Sequence, residues 1–197
     1  MTEHYFSEKQ TSRLRISELS VNLRGNSFKI CTGSGVFSKT RVDPGSELLI
    51  ETAQVEKGWR LLDLGCGYGI VGIALKLSCP SIHVVFSDIN ERALSLTRKN
   101  LDINGVEGDV RKSDAYSNIP ERFDTILLNP PQTAGKKLCY MMIEKAKDHL
   151  MEGGLLQIVA RHKKGGESLS KKMEEVFRNL DVKAKKSGYR VYVSRNE

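Results

Sequence analysis

Short apolar runs alternate with longer amphipathic stretches along the chain from Trp59 onward. An unbroken apolar run of about five residues is typical of a strand buried on both faces, whereas apolar positions three or four apart indicate a helix. The predicted strands are residues 60–64, 82–87, 108–112, 123–128 and 155–160. The predicted helices are residues 70–77, 91–104, 136–151 and 167–179. This alternation predicts an α/β fold with a mostly parallel sheet.

Each end of the chain has a pattern of its own. Two apolar-polar runs joined by a short turn indicate an antiparallel hairpin, and such a pair occurs both before and after the alternating region. The N-terminal pair comprises residues 19–23 and 28–31, and the C-terminal pair comprises residues 180–185 and 189–194. We therefore expect a small N-terminal β-hairpin extension, and an antiparallel hairpin that closes the parallel sheet.

A helix is also predicted between the first hairpin and the sheet. Asp43 suits the N-cap position and Pro44 the first helical position, and the apolar residues that follow carry the pattern to about Val55. By length, residues 1–197 form one domain. We expect residues 1–42 to be its N-terminal extension and residues 43–197 its core.

Three glycines at alternate positions follow the first predicted strand, in Asp63-Leu64-Gly65-Cys66-Gly67-Tyr68-Gly69. Such glycines let the backbone turn tightly and let a ligand lie on it without meeting a Cβ. A dinucleotide fingerprint needs a third small residue where Ile70 stands, and a phosphate-binding P-loop needs a Gly-Lys-Ser/Thr sequence that this chain lacks. The stretch therefore predicts a loop for another cofactor.

The acidic residues around this loop indicate which cofactor it binds. D-x-G-x-G-x-G resembles the cofactor loop of class I S-adenosylmethionine-dependent methyltransferases, where an acid such as Asp63 suits the cationic amino end of the methionine moiety. Asp88 ends the second strand and is placed to accept both ribose hydroxyls. Asp114 follows the third strand, where that family places an acid or amide at the adenine amino group. Asp109 is a rival for that role, and each acid is also compatible with a simple cap.

The fourth predicted strand ends in Asn129-Pro130-Pro131-Gln132. Prolines stop a parallel strand and stiffen the turn that follows it. The Asn129 side-chain oxygen and the Pro130 carbonyl would give two acceptors for the two N–H groups of a planar exocyclic amine. The oriented nitrogen can then attack a sulfonium methyl in line without a strong base, because positioning and electrostatics supply most of the rate. An ordinary strand-ending turn is the alternative.

Charge and cysteine content limit the partners, metal sites and cellular location that we expect. The net charge is +7, and residues 161–197 carry 11 Lys and Arg against 5 Asp and Glu, which suits a polyanionic partner. The four cysteines form no CxxC pair, so we expect reduced thiols and no metal site. No apolar run is long enough for a membrane span and no signal peptide is evident. We therefore expect a cytoplasmic location and no membrane partner.

The Asn-Pro-Pro motif on the fourth strand resembles that of amino-nitrogen methyltransferases, and the resemblance extends over nearly the whole chain. Several further segments resemble the RsmC-like methyltransferases, especially short single-domain archaeal members. These segments are His4-Tyr5-Phe6-Ser7, Gly33-Ser34-Gly35-Val36-Phe37-Ser38, Arg41-Val42-Asp43-Pro44-Gly45-Ser46-Glu47-Leu48-Leu49, Gly135-Lys136 and Gly188-Tyr189-Arg190-Val191. Bacterial members methylate guanine N2 in small-subunit ribosomal RNA and carry an extra N-terminal domain, which we do not expect in this chain.

The resemblance implies a Rossmann-like methyltransferase fold, S-adenosyl-L-methionine as cofactor and ribosomal RNA as partner. It leaves the target nucleotide and the oligomeric state open. The implied catalytic residues are Asn129, Pro130 and Pro131. The implied cofactor-binding residues are Asp63, Gly65, Cys66, Gly67, Asp88, Ile89, Asp114, Ala115 and Asn129.

One position departs from the family pattern. Gln132 stands where many relatives have an aromatic residue that stacks on the target base. Phe37 is the first candidate to supply that stacking and Tyr140 the second, although both residues also suit ordinary core packing. Two other functions stay open: methylation of a protein glutamine amide, and a cofactor-binding RNA-binding module without catalysis. The intact Asn129-Pro130-Pro131 motif argues against the second of these.

Overall fold

The computed structural model describes residues 16–34 and 41–197, apart from the side chain of Thr133. The strands in these ranges are β1 (Ile16–Leu23), β2 (Asn26–Gly33), β3 (Arg60–Leu64), β4 (His83–Asp88), β5 (Asp109–Lys112), β6 (Phe123–Leu128), β7 (Leu150–Arg161), β8 (Asp181–Lys186) and β9 (Tyr189–Arg195). The helices are α1 (Pro44–Thr52), α2 (Ile70–Ser78), α3 (Glu91–Asn104), α4 (Lys136–Ala146) and α5 (Gly166–Phe177). Short 3₁₀ turns occupy Gln132–Ala134, Lys147–His149 and His162–Lys164.

Seven strands form the main sheet in the order β5-β4-β3-β6-β7-β9-β8. The first five of these are parallel, whereas β9 runs antiparallel to both of its neighbours. The predicted Rossmann-like methyltransferase sheet with an antiparallel C-terminal hairpin is confirmed. The hairpin folds back so that its second strand, β9, lies beside β7 and its first strand, β8, forms the edge.

The predicted boundaries of α4 and β7 are wrong, and α1 ends at Thr52 instead of near Val55. The helix predicted at 136–151 ends at Ala146, and the strand predicted at 155–160 begins at Leu150. Leu150 pairs with Phe123 across the sheet, and both side chains are fully buried. Pairing with β6 therefore overrides the local helical pattern there, and the register shifts before Leu155 pairs with Thr125.

The sheet is covered on both faces, as a parallel sheet requires. Helices α1, α2 and α3 and the N-terminal hairpin pack on one face, and helices α4 and α5 pack on the other. Gly72 lets α2 lie close to the sheet, because a Cβ there would lie 2.3 Å from the ring of Phe86. No helix in the described part of the chain is long and apolar enough to cross a membrane.

The N-terminal hairpin is a separate two-stranded sheet that docks on α3. Asn100 of α3 accepts a hydrogen bond from the Cys31 amide at 2.7 Å and donates to the Cys31 carbonyl at 2.9 Å. The same Asn100 amide group donates to the Tyr68 carbonyl at 2.8 Å. The hairpin is thereby tied to the glycine loop as well as to the helix.

The strand order reverses between β3 and β6, which opens a cleft at their carboxyl ends. Leu64, the last residue of β3, pairs with Ser87 of β4 on one side and with Leu128 of β6 on the other. The residues that follow these three positions are Gly65, Asp88 and Asn129. In-register pairing therefore brings the glycine loop, the first acid and the Asn-Pro-Pro motif to one edge of the sheet.

Candidate active site

A cavity of about 440 Å³ occupies this edge of the sheet. Every residue predicted to bind the cofactor lines it, as do the residues of the Asn-Pro-Pro-Gln motif. These residues are Asp63, Gly65, Cys66, Gly67, Asp88, Ile89, Asp114, Ala115, Asn129, Pro130, Pro131 and Gln132. Elements that are far apart in sequence thus converge on one space of ligand size.

The glycine loop forms one wall of the cavity. Gly65 and Gly67 have φ angles of 68° and 57°, in the left-handed region that favours glycine. A Cβ added to either residue would meet no protein atom within 4 Å. The loop therefore leaves open space directly above its backbone. Gly69, by contrast, is required for packing, because a Cβ there would lie 2.8 Å from Thr97 Cγ2.

Asp88 holds the glycine loop against the end of β4. Its Oδ2 accepts a hydrogen bond from the Gly67 amide at 2.9 Å, and its Oδ1 accepts one from the Asn90 amide at 2.9 Å. Burial raises the pKa of Asp88, and the backbone N–H groups that it accepts oppose that rise. Asn90 in turn caps α3 through its side chain. The carboxylate and the start of α3 are therefore positioned together.

Asp63 is the second buried carboxyl of the cavity, with 4% of its surface exposed. Its Oδ2 accepts a hydrogen bond from the Gly72 amide in α2 at 2.9 Å. The pKa of Asp63 is raised to about 7, chiefly by burial and to a lesser extent by the nearby Asp88 charge, while the hydrogen bond from the Gly72 N–H opposes the rise. Two buried carboxyls whose charges interact suit a ligand with a cationic group on this side of the cavity.

Two buried polar atoms in the described part of the chain lack a hydrogen-bond partner, namely Tyr68 Oη and Ser87 Oγ. Both residues line the cavity. Burying a hydroxyl without a partner costs about 1–3 kcal/mol, so such groups are normally satisfied. Their common location indicates that the cavity is built to receive a polar ligand.

The loop after β5 carries Asp114 to the cavity. Ser113 Oγ donates to the Ala115 carbonyl at 2.8 Å, and the Asp114 amide donates to Ser117 Oγ at 3.1 Å, which fixes the turn. Ala115 has a φ of 47°, so this turn is strained for a residue with a Cβ. Asp109 begins β5 at the opposite end of the strand and pairs with Arg111. Of the two rivals, only Asp114 therefore lies at the cavity.

Asn129 is held by both N–H groups of its side-chain amide. Asn129 Nδ2 donates to Asp43 Oδ2 at 3.2 Å and to Ser46 Oγ at 3.0 Å. No hydrogen bond reaches its Oδ1 from residues 16–34 or 41–197, so this oxygen is available to a ligand. The Pro130 carbonyl accepts from the Gln132 amide at 2.8 Å and keeps one lone pair.

Gln132 lines the cavity, but its side chain has a structural use. Its Oε1 accepts from the Arg161 amide at 3.2 Å, and its Nε2 donates to the Lys164 carbonyl at 2.9 Å. Gln132 therefore anchors the turn between β7 and α5, and an aromatic ring at position 132 could not make these two hydrogen bonds. The turn that it anchors brings Arg161 and Lys164 to the cavity.

Two aromatic residues, Phe37 and Tyr140, were predicted to stack on a substrate. Tyr140 is not at the cavity: it lies between α4 and α5, donates to the Ser168 carbonyl at 3.3 Å, and has Lys136 Nζ 5.0 Å from its ring centroid. The structure therefore does not bring Tyr140 to the cavity wall, and its stacking role stays a prediction. Phe37 lies outside the described residues.

Asp43, Ser46, Arg161, Lys164 and Tyr189 are among the polar residues of the cavity wall that sequence reasoning did not assign to the site. Asp43 was expected only as the cap of α1, a role that it does have, since it accepts from the Ser46 amide at 2.9 Å. Tyr189 begins β9, opposite Arg161 in the β7 pairing. No local pattern signals these contacts, because they depend on tertiary packing: α1 lies against the turn after β6, and β9 lies between β7 and β8.

The described residues contain no group of three or more His, Cys, Asp or Glu arranged to hold a metal ion. The mostly parallel sheet, the glycine loop with its acids and the Asn-Pro-Pro turn are those of a class I S-adenosylmethionine-dependent methyltransferase. A family profile described as the methyltransferase small domain matches residues 27–193. The chain belongs to that family.

Individual relatives agree with this assignment. Uncharacterized protein YbxB of Bacillus subtilis is 41% identical over 195 residues, which covers 96% of each chain. Ribosomal RNA small subunit methyltransferase C of Aeromonas hydrophila is 38% identical over 165 residues, which cover 82% of this chain and 47% of the relative. The chain thus spans about half the length of the methyltransferase C relatives that it matches.

A solved structure is similar over nearly the whole chain. The Thermus thermophilus 16S rRNA N2 G1207 methyltransferase RsmC, in complex with AdoMet and guanosine, superposes with a TM-score of 0.82 at 25% identity. The match covers 96% of this chain and 52% of RsmC. A methyltransferase from Pyrococcus furiosus superposes with a TM-score of 0.69 at 18% identity, which shows the shared fold alone.

Proposed function

We propose that this protein transfers a methyl group from S-adenosyl-L-methionine to an exocyclic amino nitrogen, and that its substrate is guanine N2 in ribosomal RNA. One observation carries the proposal: Asp43 and Ser46 occupy both N–H groups of the Asn129 amide. Asn129 therefore meets a ligand with its Oδ1, an acceptor, in the same cavity as the glycine loop. An acceptor at that point suits an amine, which brings N–H donors.

The wall around the glycine loop fits the cofactor. The open space above Gly65 and Gly67 would admit a ligand onto the backbone, and Asp63 would face its cationic amino group. Asp88 would accept from the ribose hydroxyls, and Asp114 from the adenine amino group. When bound, S-adenosylmethionine supplies a sulfonium methyl group as the electrophile.

The residues on the other side of the cavity orient the target amine. Asn129 Oδ1 and the remaining lone pair of the Pro130 carbonyl would each accept one N–H of the amine. These two bonds draw the nitrogen out of conjugation with its ring and direct its lone pair toward the glycine loop. No strong base is required, because the amine proton becomes acidic as the nitrogen is alkylated. The contribution of these residues is positioning and electrostatic stabilisation.

Exposed basic residues near the cavity support an RNA substrate. Arg161 ends β7, Lys163 and Lys164 lie in the turn that follows it, and Lys185 is the next-to-last residue of β8. Arg161 and Lys164 line the cavity, and the turn after β7 is joined to the β8–β9 turn, since the His162 amide donates to the Gly188 carbonyl at 3.0 Å. We call the surface formed by Arg161, Lys163, Lys164 and Lys185 the basic rim. Its charge and its position suit the phosphates that flank a base inserted into the cavity.

Charge reversal on the basic rim is expected to weaken RNA binding. The double variant Lys163→Glu, Lys164→Glu should lower affinity for single-stranded RNA by about 10-fold or more and reduce the slope of log affinity against log salt by about one to two. Fluorescence anisotropy over a salt series measures both quantities. The matched control is Lys57→Glu, Lys99→Glu, which places the same charges on exposed residues away from the cavity. Equal losses in both variants would contradict a role for the rim.

The cofactor affinity is expected to depend on pH through Asp63. Because its pKa is raised from 3.8 to about 7 in the folded protein, the protonated form stabilises the fold at low pH, and this contribution is lost as the pH rises through about 7. A cationic ligand group instead requires the ionised carboxylate. Affinity for S-adenosylmethionine should therefore fall as the pH is lowered from about 7 to about 5.5, with a limiting slope near tenfold per pH unit.

Isothermal titration calorimetry at several pH values measures that dependence. Asp63→Asn removes the titrating group, so this variant should bind weakly with a flatter pH profile; the raised pKa of Asp88 leaves some dependence in both proteins. If the cofactor affinity of Asp63→Asn depended on pH as steeply as that of the unmodified protein, Asp63 could not be the source of the pH dependence.

The proposed function itself is tested by radiolabel transfer. Purified protein and methyl-labelled S-adenosylmethionine are incubated separately with total RNA, ribosomal subunits lacking the modification, and protein extract. We expect label in RNA, and N2-methylguanosine after digestion to nucleosides. Label in protein alone would overturn the RNA assignment and favour a side-chain amide of glutamine. Label in another nucleoside would retain the RNA substrate and correct the target atom.

A further inference from the structure

We propose that Asp43 is a positioning residue that fixes the orientation of the Asn129 amide, with Tyr189 and Ser46 as its partners. Its consequence for catalysis rests on the proposed function, whereas the orientation itself does not. Asp43 precedes α1, and its sequence context explains only a helix cap. The contacts of its carboxylate go well beyond that role.

Asp43 is buried, with 8% of its surface exposed, and it accepts hydrogen bonds from three directions. The Ser46 amide lies 2.9 Å from Oδ2, Asn129 Nδ2 lies 3.2 Å from Oδ2, and Tyr189 Oη lies 3.2 Å from Oδ1. These donors belong to α1, the turn after β6 and the start of β9. One carboxylate therefore joins three elements behind the Asn-Pro-Pro motif.

The carboxylate decides which end of the amide faces the cavity. The oxygen and nitrogen of an asparagine amide have nearly the same shape, so packing alone does not distinguish them. A carboxylate only accepts hydrogen bonds, so the amide must turn its nitrogen toward Asp43. Ser46 Oγ takes the second N–H at 3.0 Å. The acceptor Oδ1 is the part of Asn129 that is left for a substrate.

The carboxylate is itself held by close packing. A Cβ added to Gly45 would lie 2.8 Å from Asp43 Oδ2 and 2.7 Å from Tyr189 Cε1, so neither group can move toward α1. On the Tyr189 ring, the Arg161 guanidinium carbon lies 5.0 Å from the centroid. The C-terminal hairpin therefore has a role in the site: its Tyr189 hydroxyl occupies the oxygen of Asp43 that Asn129 does not use.

The orientation has a chemical consequence. If the amide flips, Asn129 presents its NH₂ group to the incoming amine, and two donors face each other. The productive geometry is then lost although every atom of Asn129 is still present. A misplacement of about 1 Å at a reacting group can cost about 100-fold in rate, and we expect a similar loss here. Cofactor binding should be little affected, because the side-chain hydrogen bonds of Asp43 come from Ser46, Asn129 and Tyr189 and not from the residues assigned to the cofactor.

The variant Asp43→Ser separates positioning from capping. Serine is as good an N-cap as aspartate, so α1 keeps its first hydrogen bond, but a hydroxyl can donate as well as accept and is too short to reach Tyr189 and Asn129 together. We expect kcat to fall about 100-fold with the cofactor dissociation constant unchanged. Asp43→Asn should retain most activity, because its carbonyl can still face Ser46 and Asn129 while Tyr189 Oη accepts from its NH₂ group.

A direct readout comes from the side-chain amide signals of Asn129 in a ¹⁵N–¹H NMR spectrum, identified by their absence in Asn129→Ala. In the unmodified protein both amide protons are bound and should exchange slowly with water. In Asp43→Ser the two signals should shift and exchange faster. Ser46→Ala, which removes one acceptor and no charge, should give a smaller shift and a roughly 10-fold loss of kcat. Asp124→Ser is the matched control. Asp124 Oδ2 also accepts a backbone hydrogen bond, from the Arg60 amide at 2.7 Å, but Asp124 does not line the cavity.

Unchanged Asn129 signals in both Asp43→Ser and Ser46→Ala would overturn the proposal, as would equal losses of kcat in Asp43→Ser and Asp124→Ser. The NMR readout needs no substrate. If the signals respond as expected but the unmodified protein methylates no RNA, the proposed function fails while the positioning role of Asp43 stands.

Discussion

Replacing Asn129 with alanine is expected to reduce turnover by about 100- to 1,000-fold while the affinity for S-adenosylmethionine changes little. The variant removes Oδ1, the acceptor that we assign to the target amine, and a preorganised hydrogen-bonding group of this kind contributes about that factor. Asp63, Asp88 and the glycine loop are untouched. Single-turnover kinetics with labelled cofactor measure the rate, and calorimetry measures the cofactor dissociation constant.

The Asn129→Ala experiment must distinguish a loss of catalytic rate from a loss of folded protein. Asn129→Ala leaves Asp43 Oδ2 and Ser46 Oγ with one donor fewer, which costs about 1–3 kcal/mol of stability for buried groups. Thermal unfolding should therefore be recorded for each variant, and activity compared well below the transition. Asn22→Ala in β1 is the matched control, because its exposed side chain donates to Ser27 Oγ within the hairpin, away from the cavity. Near-normal turnover in a folded Asn129→Ala variant would refute the mechanism.

The fold could be predicted from sequence because its signals are local. Each strand of the parallel sheet is a short apolar run, and each helix has its own periodicity and caps. The boundary errors at α4 and β7 have a tertiary origin: Leu150 pairs with Phe123, a residue 27 positions away. A pattern within 136–151 carries no information about that partner.

The difference between local signals and tertiary contacts also explains which residues of the candidate site could be predicted. Gly65, Asp88 and Asn129 could be predicted because each lies at or directly after the end of a strand, and parallel strands carry such positions to one edge of the sheet. The contact between Asp43 and Asn129 spans 86 residues, and that between Asp43 and Tyr189 spans 146. Asp43 also had a sufficient local explanation as a helix cap, so nothing in the sequence required a second role.

Gln132 shows how a departure from a motif can be misread. Its identity correctly indicates that no aromatic ring follows Asn129-Pro130-Pro131. The structure gives the physical reason for a glutamine there, since both ends of its amide bind the β7–α5 turn. Position 132 thereby supports Arg161 and Lys164 at the cavity mouth. At this position, where the resemblance leads us to expect an aromatic ring, the glutamine instead holds a turn that bears two basic residues.

The second large effect is expected for Asp88→Ala, which should weaken cofactor binding and leave turnover at saturating cofactor largely intact. Asp88→Ala removes the oxygens that we assign to the two ribose hydroxyls and leaves the Gly67 and Asn90 amides without their acceptor. Charge-assisted hydrogen bonds contribute about 1.5–3 kcal/mol each, so the cofactor dissociation constant should rise by about 100-fold or more. At saturating cofactor, kcat should recover most of its value because the Asn129 side of the cavity is intact.

Calorimetry and the dependence of rate on cofactor concentration test this division of roles. Asp102→Ala on the exposed face of α3 removes the same charge without reaching the cavity, and it should leave both quantities unchanged. If Asp88→Ala instead lowered kcat and left the cofactor dissociation constant unaltered, the cofactor could not occupy the side of the cavity assigned to it. Opposite outcomes for Asp88→Ala and Asn129→Ala are therefore the sharpest requirement of the site. The register of β3, β4 and β6 places the two residues at one edge of the sheet, on either side of the glycine loop, so each should affect a different step.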